Sequence, residues 1–190
     1  MDTKSKLLQV AFDEIYENGY TATSVDKILK KAAMNKGSMY HFFKSKKELT
    51  LGVIEVHINK YIEDKYSCLL KIDENIIDAL IKLLKTKNKF NYTYGCRLNN
   101  LVQELSSKDQ EFKIALEKVY FRFEEIIYEV LEKAVNNKEI SHPNIKDLAI
   151  YVVASIEGCL ASAKKSNSSD IYISCISQLE FYLNSLKIKQ

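Results

Sequence analysis

The residues best suited to chemistry lie in one run, Lys36-Gly37-Ser38-Met39-Tyr40-His41-Phe42. An ammonium, a hydroxyl, a phenol and an imidazole stand there beside a glycine, which lets backbone come close to a partner. Such groups hydrogen-bond to phosphate oxygens and to base edges. The surrounding charge is one-sided: Lys27 to Lys47 holds seven lysines and no acid. Residues 1–50 carry nine lysines and six acids, and residues 51–190 carry 19 bases and 19 acids. The whole net charge of +3 therefore sits at the N-terminus. A stretch that repels no phosphate is a candidate nucleic-acid surface. On charge alone, a solvated lysine face reads equally well.

Other chemistries fare worse. The sequence has no G-x-S-x-G, G-x-x-x-x-G-K, H-E-x-x-H or dinucleotide fingerprint. His41, His57 and His142 are scattered without metal-ligand spacing, and pairs such as Glu124-Glu125 read as solvated helix surface. No catalytic residue, metal or cofactor is expected. The four cysteines, Cys68, Cys96, Cys159 and Cys175, form no C-x-x-C pair, and no secretory signal is evident. Reduced thiols in a cytoplasmic protein are the expectation. The uncharged stretch between Asp147 and Glu157 is too short for a bilayer, which takes about 20 residues, so no membrane partner is expected.

These side chains need elements to carry them, and the hydrophobic period is helical almost throughout. Leu7, Leu8, Ala11, Phe12, Ile15 and Tyr16 form one stripe, ended by Asn18-Gly19. A second helix starts at Thr23 or Ser24. Asn35 caps a short third helix from Lys36 to about Phe42. Ser45, with Glu48 three residues on, caps a long fourth helix to about Leu69. Further helices follow from Asp73, through Leu98 to Leu105, from Asp109, from Ile145 to Lys165, and from Ile171 to Leu186. About nine helices and no convincing strand make the class all-α. Helices two and three, joined by a tight turn at Ala33-Met34, have the form of a helix-turn-helix at about 24–43, whose second helix enters the major groove.

Residues 7 to 49 resemble the TetR/AcrR family of repressors. The resemblance rests on Phe12, Gly19, Thr23, Val25-Asp26-Lys27-Ile28 and the run Asn35 to Leu49. Ala33 stands where that family often has glycine. The resemblance implies a DNA-binding domain over 1–50 and a ligand-binding and dimerisation domain over 51–190. It implies phosphate contacts from Thr23 and Ser24, and base or phosphate contacts from Lys36, Ser38, Tyr40 and His41. Close approach is implied at Gly37 and a phosphate clamp at Lys46, aided by the positive end of its helix. It also implies a homodimer on a palindromic double-stranded operator, released by a small-molecule effector. The alternative is a helical interaction or adaptor module that has lost DNA binding.

Two features bear on the second half. Tyr172, Ile176, Leu179, Leu183 and Leu186 recur at four, three, four and three, a heptad-like seam. Tyr151, Ala154, Gly158 and Ala161 form a stripe of mostly small residues on the preceding helix. The resemblance places a four-helix dimer interface on these two helices; burial within one protomer is the competing reading. Aromatics spread over the middle helices include Phe90, Phe121 and Tyr128. Among them Tyr61, Tyr66, Tyr92, Tyr94, Tyr120 and Phe123, with Cys96, are candidate walls of an effector pocket. Gly95-Cys96-Arg97 places a thiol at a helix start beside a cation, which can raise reactivity. A similar Gly-Cys occurs in an electrophile- and oxidant-responsive branch of the family; an inert buried cysteine is the plainer reading.

Overall fold

The computed structural model describes residues 2–188. It is all-α, and among the described residues the only strand-like pairing is an isolated bridge between Ile140 and Lys187. Helix α1, Thr3–Asn18, is capped by Asp2, whose carboxylate accepts from the Ser5 amide, and stops at Gly19 with φ 81°. Helix α2, Val25–Ala32, is capped by the Ser24 hydroxyl and α3, Lys36–Phe42, by Asn35. Ala33, between them, takes the left-handed conformation at φ 54°. The family's frequent glycine would adopt it without the cost a Cβ imposes. Helix α4, Lys46–Val53, is capped by Ser45, and Glu48 reaches back to accept from the Lys44 amide.

The expected long fourth helix is not a regular α-helix. A π-helical turn, Ile54–Ile58, separates α4 from α5, Asn59–Tyr66, and a 3-10 stretch, Ser67–Lys71, follows. Beyond it come α6 (Ile76–Lys85), α7 (Arg97–Leu105), α8 (Gln110–Asn136), α9 (Ile145–Ser166) and α10 (Ser169–Ser185).

The chain forms two compact units. The first holds the chain up to Tyr61 together with Arg97–Val119; the second holds Ile62–Cys96 together with the chain from Tyr120 onward. In the first, Leu7, Ala11, Ile28, Ala32, Met39, Leu49 and Val53 are fully buried and lock α1 to α4. In the second, α10 packs along α9 and α6, and the core includes Ile76, Leu80, Phe123, Ile127, Val152, Ile156, Tyr172 and Leu183. No helix among the described residues is long and apolar enough to cross a membrane.

Candidate nucleic-acid interface and interior polar cluster

In the first unit α1 is the platform on which the two short helices sit. Glu14 of α1 is fully buried and pairs with Lys27 at 2.9 Å and with Lys31. Burial pushes its carboxyl up, but Lys31 and Lys27 outweigh that and hold it below the usual carboxylate value. Two of the seven lysines in the basic run are thus committed to folding. Thr23 is 1% exposed, and its hydroxyl donates to the Gly19 carbonyl at 2.7 Å and the Glu14 carbonyl at 3.1 Å. The expectation that it contacts phosphate is corrected, because its one proton is spent tying α1 to the following turn. Ser24 is exposed and caps α2, accepting from the Lys27 amide at 3.1 Å.

Helix α3 buries Met39 and turns its other side outward. Lys36 is exposed, in a 3.0 Å pair with equally exposed Asp26, a partner a phosphate can replace at little cost. Tyr40 is 55% exposed. His41 is exposed, edge-on to Phe42. Gly37 is exposed, and a Cβ there would lie 3.2 Å from the Asn35 Oδ1. That same oxygen accepts from both the amide and the hydroxyl of Ser38, so Ser38 works first in the cap. Lys46 does not project freely: its ammonium lies 4.0 Å from the centre of the Tyr20 ring, and burial lowers its pKa. Exposed Lys44, which the sequence reading did not single out, adds a charge to this surface.

Three further contacts brace the platform within the first unit, and sequence reasoning found none. Glu104 of α7 accepts from the Tyr20 amide at 2.9 Å and the Thr21 amide at 2.7 Å. Lys47 pairs with Asp109 and Glu111, each at 2.7 Å. The Arg97 guanidinium lies 5.0 Å from the Phe12 and Tyr16 ring centres and 4.6 Å from that of Tyr61. Tyr61 therefore belongs to this brace and not with the other aromatics expected to line a pocket.

In the second unit, Tyr66 stacks on Phe123 at 4.3 Å, and Tyr172 meets Phe90 at 4.7 Å and Tyr92 at 5.4 Å. The Tyr92 hydroxyl donates to the Lys87 carbonyl, and Tyr94 is half-buried in the turn before Gly95. Phe121 and Tyr128 instead line an outer groove of about 310 Å³ with Glu124, Lys146 and Ile150. Among the interior rings lie polar groups that the sequence reading missed. Glu157 of α9 is 4% exposed, and one of its carboxylate oxygens, Oε2, has no hydrogen-bond partner. Burial pushes its pKa up to about 7, against the opposing pull of a hydrogen bond from the Cys96 thiol and the charge of Lys65. Lys65, also buried, sits 3.6 Å from the Phe90 ring centre. Half-buried Tyr120 is raised well above the usual phenol value by burial, then by Glu157 and Cys96. The signal was available: Glu157 is the one charged residue between Leu148 and Ala163.

The two stripes of the last helices separate. Ile176, Leu179 and Leu183 are at most 3% exposed within a single chain, and Leu186 is half-buried. The expectation that Ile176, Leu179 and Leu183 form an intermolecular seam is corrected, because these three side chains fill the protomer's own core. Tyr151, Ala154, Gly158 and Ala161 are exposed, as is Phe181 of α10 at 75%. The cysteines also correct the sequence reading: Cys159 of α9 and Cys175 of α10 form a disulfide, and Cys68 and Cys96 are not part of one.

Comparison with known proteins covers both units. Residues 7–53 match the family model of bacterial regulatory proteins, tetR family, and residues 74–175 match the C-terminal domain of LmrA/YxaF-like transcriptional regulators. An HTH-type transcriptional regulator in the lacX 3' region of Lactococcus lactis subsp. lactis is 35% identical over 90% of this chain and 87% of its own. The HTH-type transcriptional regulator LmrA of Bacillus subtilis is 25% identical over 94% of this chain and 96% of its own. The crystal structure of reduced NemR from Escherichia coli superposes with a TM-score of 0.83 at 23% identity, covering 99% and 98% of the two chains. That last likeness is one of fold.

Proposed function

Since the chain belongs to the TetR family of bacterial regulatory proteins, we propose that it is a ligand-responsive DNA-binding transcriptional regulator of the cytoplasm. In this reading it is a repressor that leaves a palindromic operator when a small molecule binds. Residues 1–50 read DNA and residues 51–190 sense and dimerise. The observation that carries the reading is the outward side of α3. Lys36, Gly37, Tyr40 and His41 are exposed on a helix whose opposite side is anchored by fully buried Met39. Phosphate contacts come from Ser24, Lys36 and Lys44, and base-edge contacts from Tyr40 and His41. Lys46 reaches a phosphate only by leaving the Tyr20 ring.

One chain presents one recognition helix, so a palindrome requires two chains. The exposed stripe Tyr151, Ala154, Gly158 and Ala161, with Phe181, is the face on which a second copy sits. Effector and operator then oppose each other by linkage, each weakening the other by the same factor. The test is fluorescence anisotropy on duplex DNA from the region upstream of the protein's own gene. Affinity is expected to fall steeply with salt, and a triple variant K36A/Y40A/H41A is expected to lose at least about a hundredfold. Undiminished binding by that variant, or salt-independent binding, would refute the reading.

A further inference from the structure

In the second unit, Cys159 of α9 and Cys175 of α10 are joined by a disulfide. They are 16 residues apart, and Asn167, the left-handed residue that turns the chain, lies midway. The link therefore sits about 12 Å up each helix from the bend. The fold does not need it as a staple. Disulfides replace a missing core in small secreted domains, whereas this hairpin already has one. Val152, Ile156 and Leu160 of α9 and Ile176, Leu179 and Leu183 of α10 are all buried. The position of the link is informative. Cys159 directly follows Gly158 of the exposed stripe, and α10 carries Phe181, the most exposed large apolar side chain among the described residues. The face assigned to a second copy is built from both of the helices that the sulfurs join.

Resting on the reading that the chain works in the cytoplasm and pairs through this face, we propose that Cys159 and Cys175 are a reversible dithiol–disulfide site. It is oxidised by low-molecular-weight disulfides, and closing it strengthens the dimer. In a thiol-rich compartment a disulfide persists only while oxidant is present, so it reports a condition and is not a fixture. Closed, it fixes the α9 stripe and Phe181 of α10 in one arrangement. Open, the two helices are held by packing alone, and association must also order the face. Both chains must present that face, so dimer affinity falls with the square of the ordered fraction. An ordered fraction of about one third weakens the dimer about tenfold.

Cys175 is half-buried and Cys159 is 1% exposed, so Cys175 is the sulfur that meets the oxidant first. Its thiolate attacks one sulfur of R–S–S–R. A bond forms between that sulfur and Cys175 Sγ, and RS⁻ leaves and takes up the proton that Cys175 lost. The Cys159 thiolate then attacks Cys175 Sγ, and the second RS⁻ leaves and takes up the proton that Cys159 lost. The pair gives up two electrons, and R–S–S–R gains them as two R–SH. Excess R–SH runs the same steps backwards.

The test is the full chain equilibrated in glutathione buffers of varied oxidised-to-reduced ratio. Alkylation followed by peptide mass reads the link, sedimentation reads the dimer, and anisotropy on the upstream duplex reads operator binding. As the oxidised share rises, the link between Cys159 and Cys175 is expected to close and the dimer to tighten about tenfold. Operator affinity at low chain concentration is expected to rise with it. Cys175→Ser is expected to keep the weaker dimer at every ratio. Cys159→Ser is expected to stop at a mixed disulfide between Cys175 and glutathione. Cys68→Ser removes an exposed thiol elsewhere in the unit and is expected to respond like the wild type. If the serine variants fail to fold, the wild-type protein across the buffer series decides alone. A link that never closes, a link that never opens, or a dimer of equal strength in both states overturns the proposal. Operator binding that is indifferent to the ratio overturns it too, and leaves the regulator reading standing. A dimer that responds to the ratio on a chain that binds no operator supports it while that reading fails.

Discussion

At the scale of single residues, what a substitution does depends on whether the side chain serves its own helix or a second element packed against it. Asn35 as the cap of α3 and Met39 as its buried face follow from local spacing. Thr23 does not. Its hydroxyl reads as an outward phosphate contact until α1 is seen to offer two carbonyls, after which it is a buried strut. The two roles predict different variants. Thr23→Val keeps the shape and removes the donor, so it is expected to lower stability by about 1 kcal/mol while operator affinity, measured well below the melting temperature, stays within about threefold. A tenfold loss of affinity with unchanged thermal stability would restore the phosphate role. Glu157 was legible in principle, as a lone charge in an apolar helix, but its partners Cys96, Lys65 and Tyr120 are distant in sequence and nothing local points to them.

Elements show the same division. Most helix starts were readable from their caps, and Ser24, Asn35 and Ser45 each accept from the amide three residues on. The π turn at Ile54–Ile58 was not foreseen, although the sequence carries a trace of it. Buried Ile54, Ile58, Ile62 and Tyr66 recur every fourth residue. At 3.6 residues per turn, each such step drifts by about 40°. A wider turn absorbs part of that drift and keeps the side chains on the buried side. The pairing of Cys159 with Cys175 was invisible for a different reason. The two are 16 residues apart in sequence, and only the antiparallel return of α10 along α9 brings their Cα atoms to 5.5 Å. Closing a loop of that length is worth about 3 kcal/mol through the unfolded chain. Reductant is therefore expected to lower the unfolding midpoint of the wild-type protein by several degrees and to leave Cys175→Ser unchanged. Equal midpoints with and without reductant in the wild type, with both thiols titratable from the start, would show that the link does not form in solution.

For the whole molecule, the proposed dimer raises the question of which side of the last two helices would meet a second copy, and a heptad-like spacing cannot answer it. Four-three-four-three says only that a helix has an apolar stripe, and that stripe serves equally well against its own chain or another. Burial in the protomer decides. Leu179 and Leu183 are at most 3% exposed, so placing Glu at either introduces a charge into the fold itself and destabilises the unit. Gly158 gives the opposite case. It lies mid-helix on the exposed stripe, and a Cβ added there meets nothing within 4 Å. Within one chain, replacing it with a larger residue is sterically free. Removing a helical glycine should also stabilise by up to about 1 kcal/mol. Across a close helix–helix contact the same change is obstructive, because a long charged side chain would hold the partner off and lose its hydration. Gly158→Glu is therefore expected to keep or raise the unfolding midpoint, to sediment as a monomer, and to lose operator binding while the α3 surface stays intact. Leu179→Glu is expected to lose structure before association can be read. If Gly158→Glu still sediments as a dimer and still binds the palindrome, the second copy docks elsewhere on the chain.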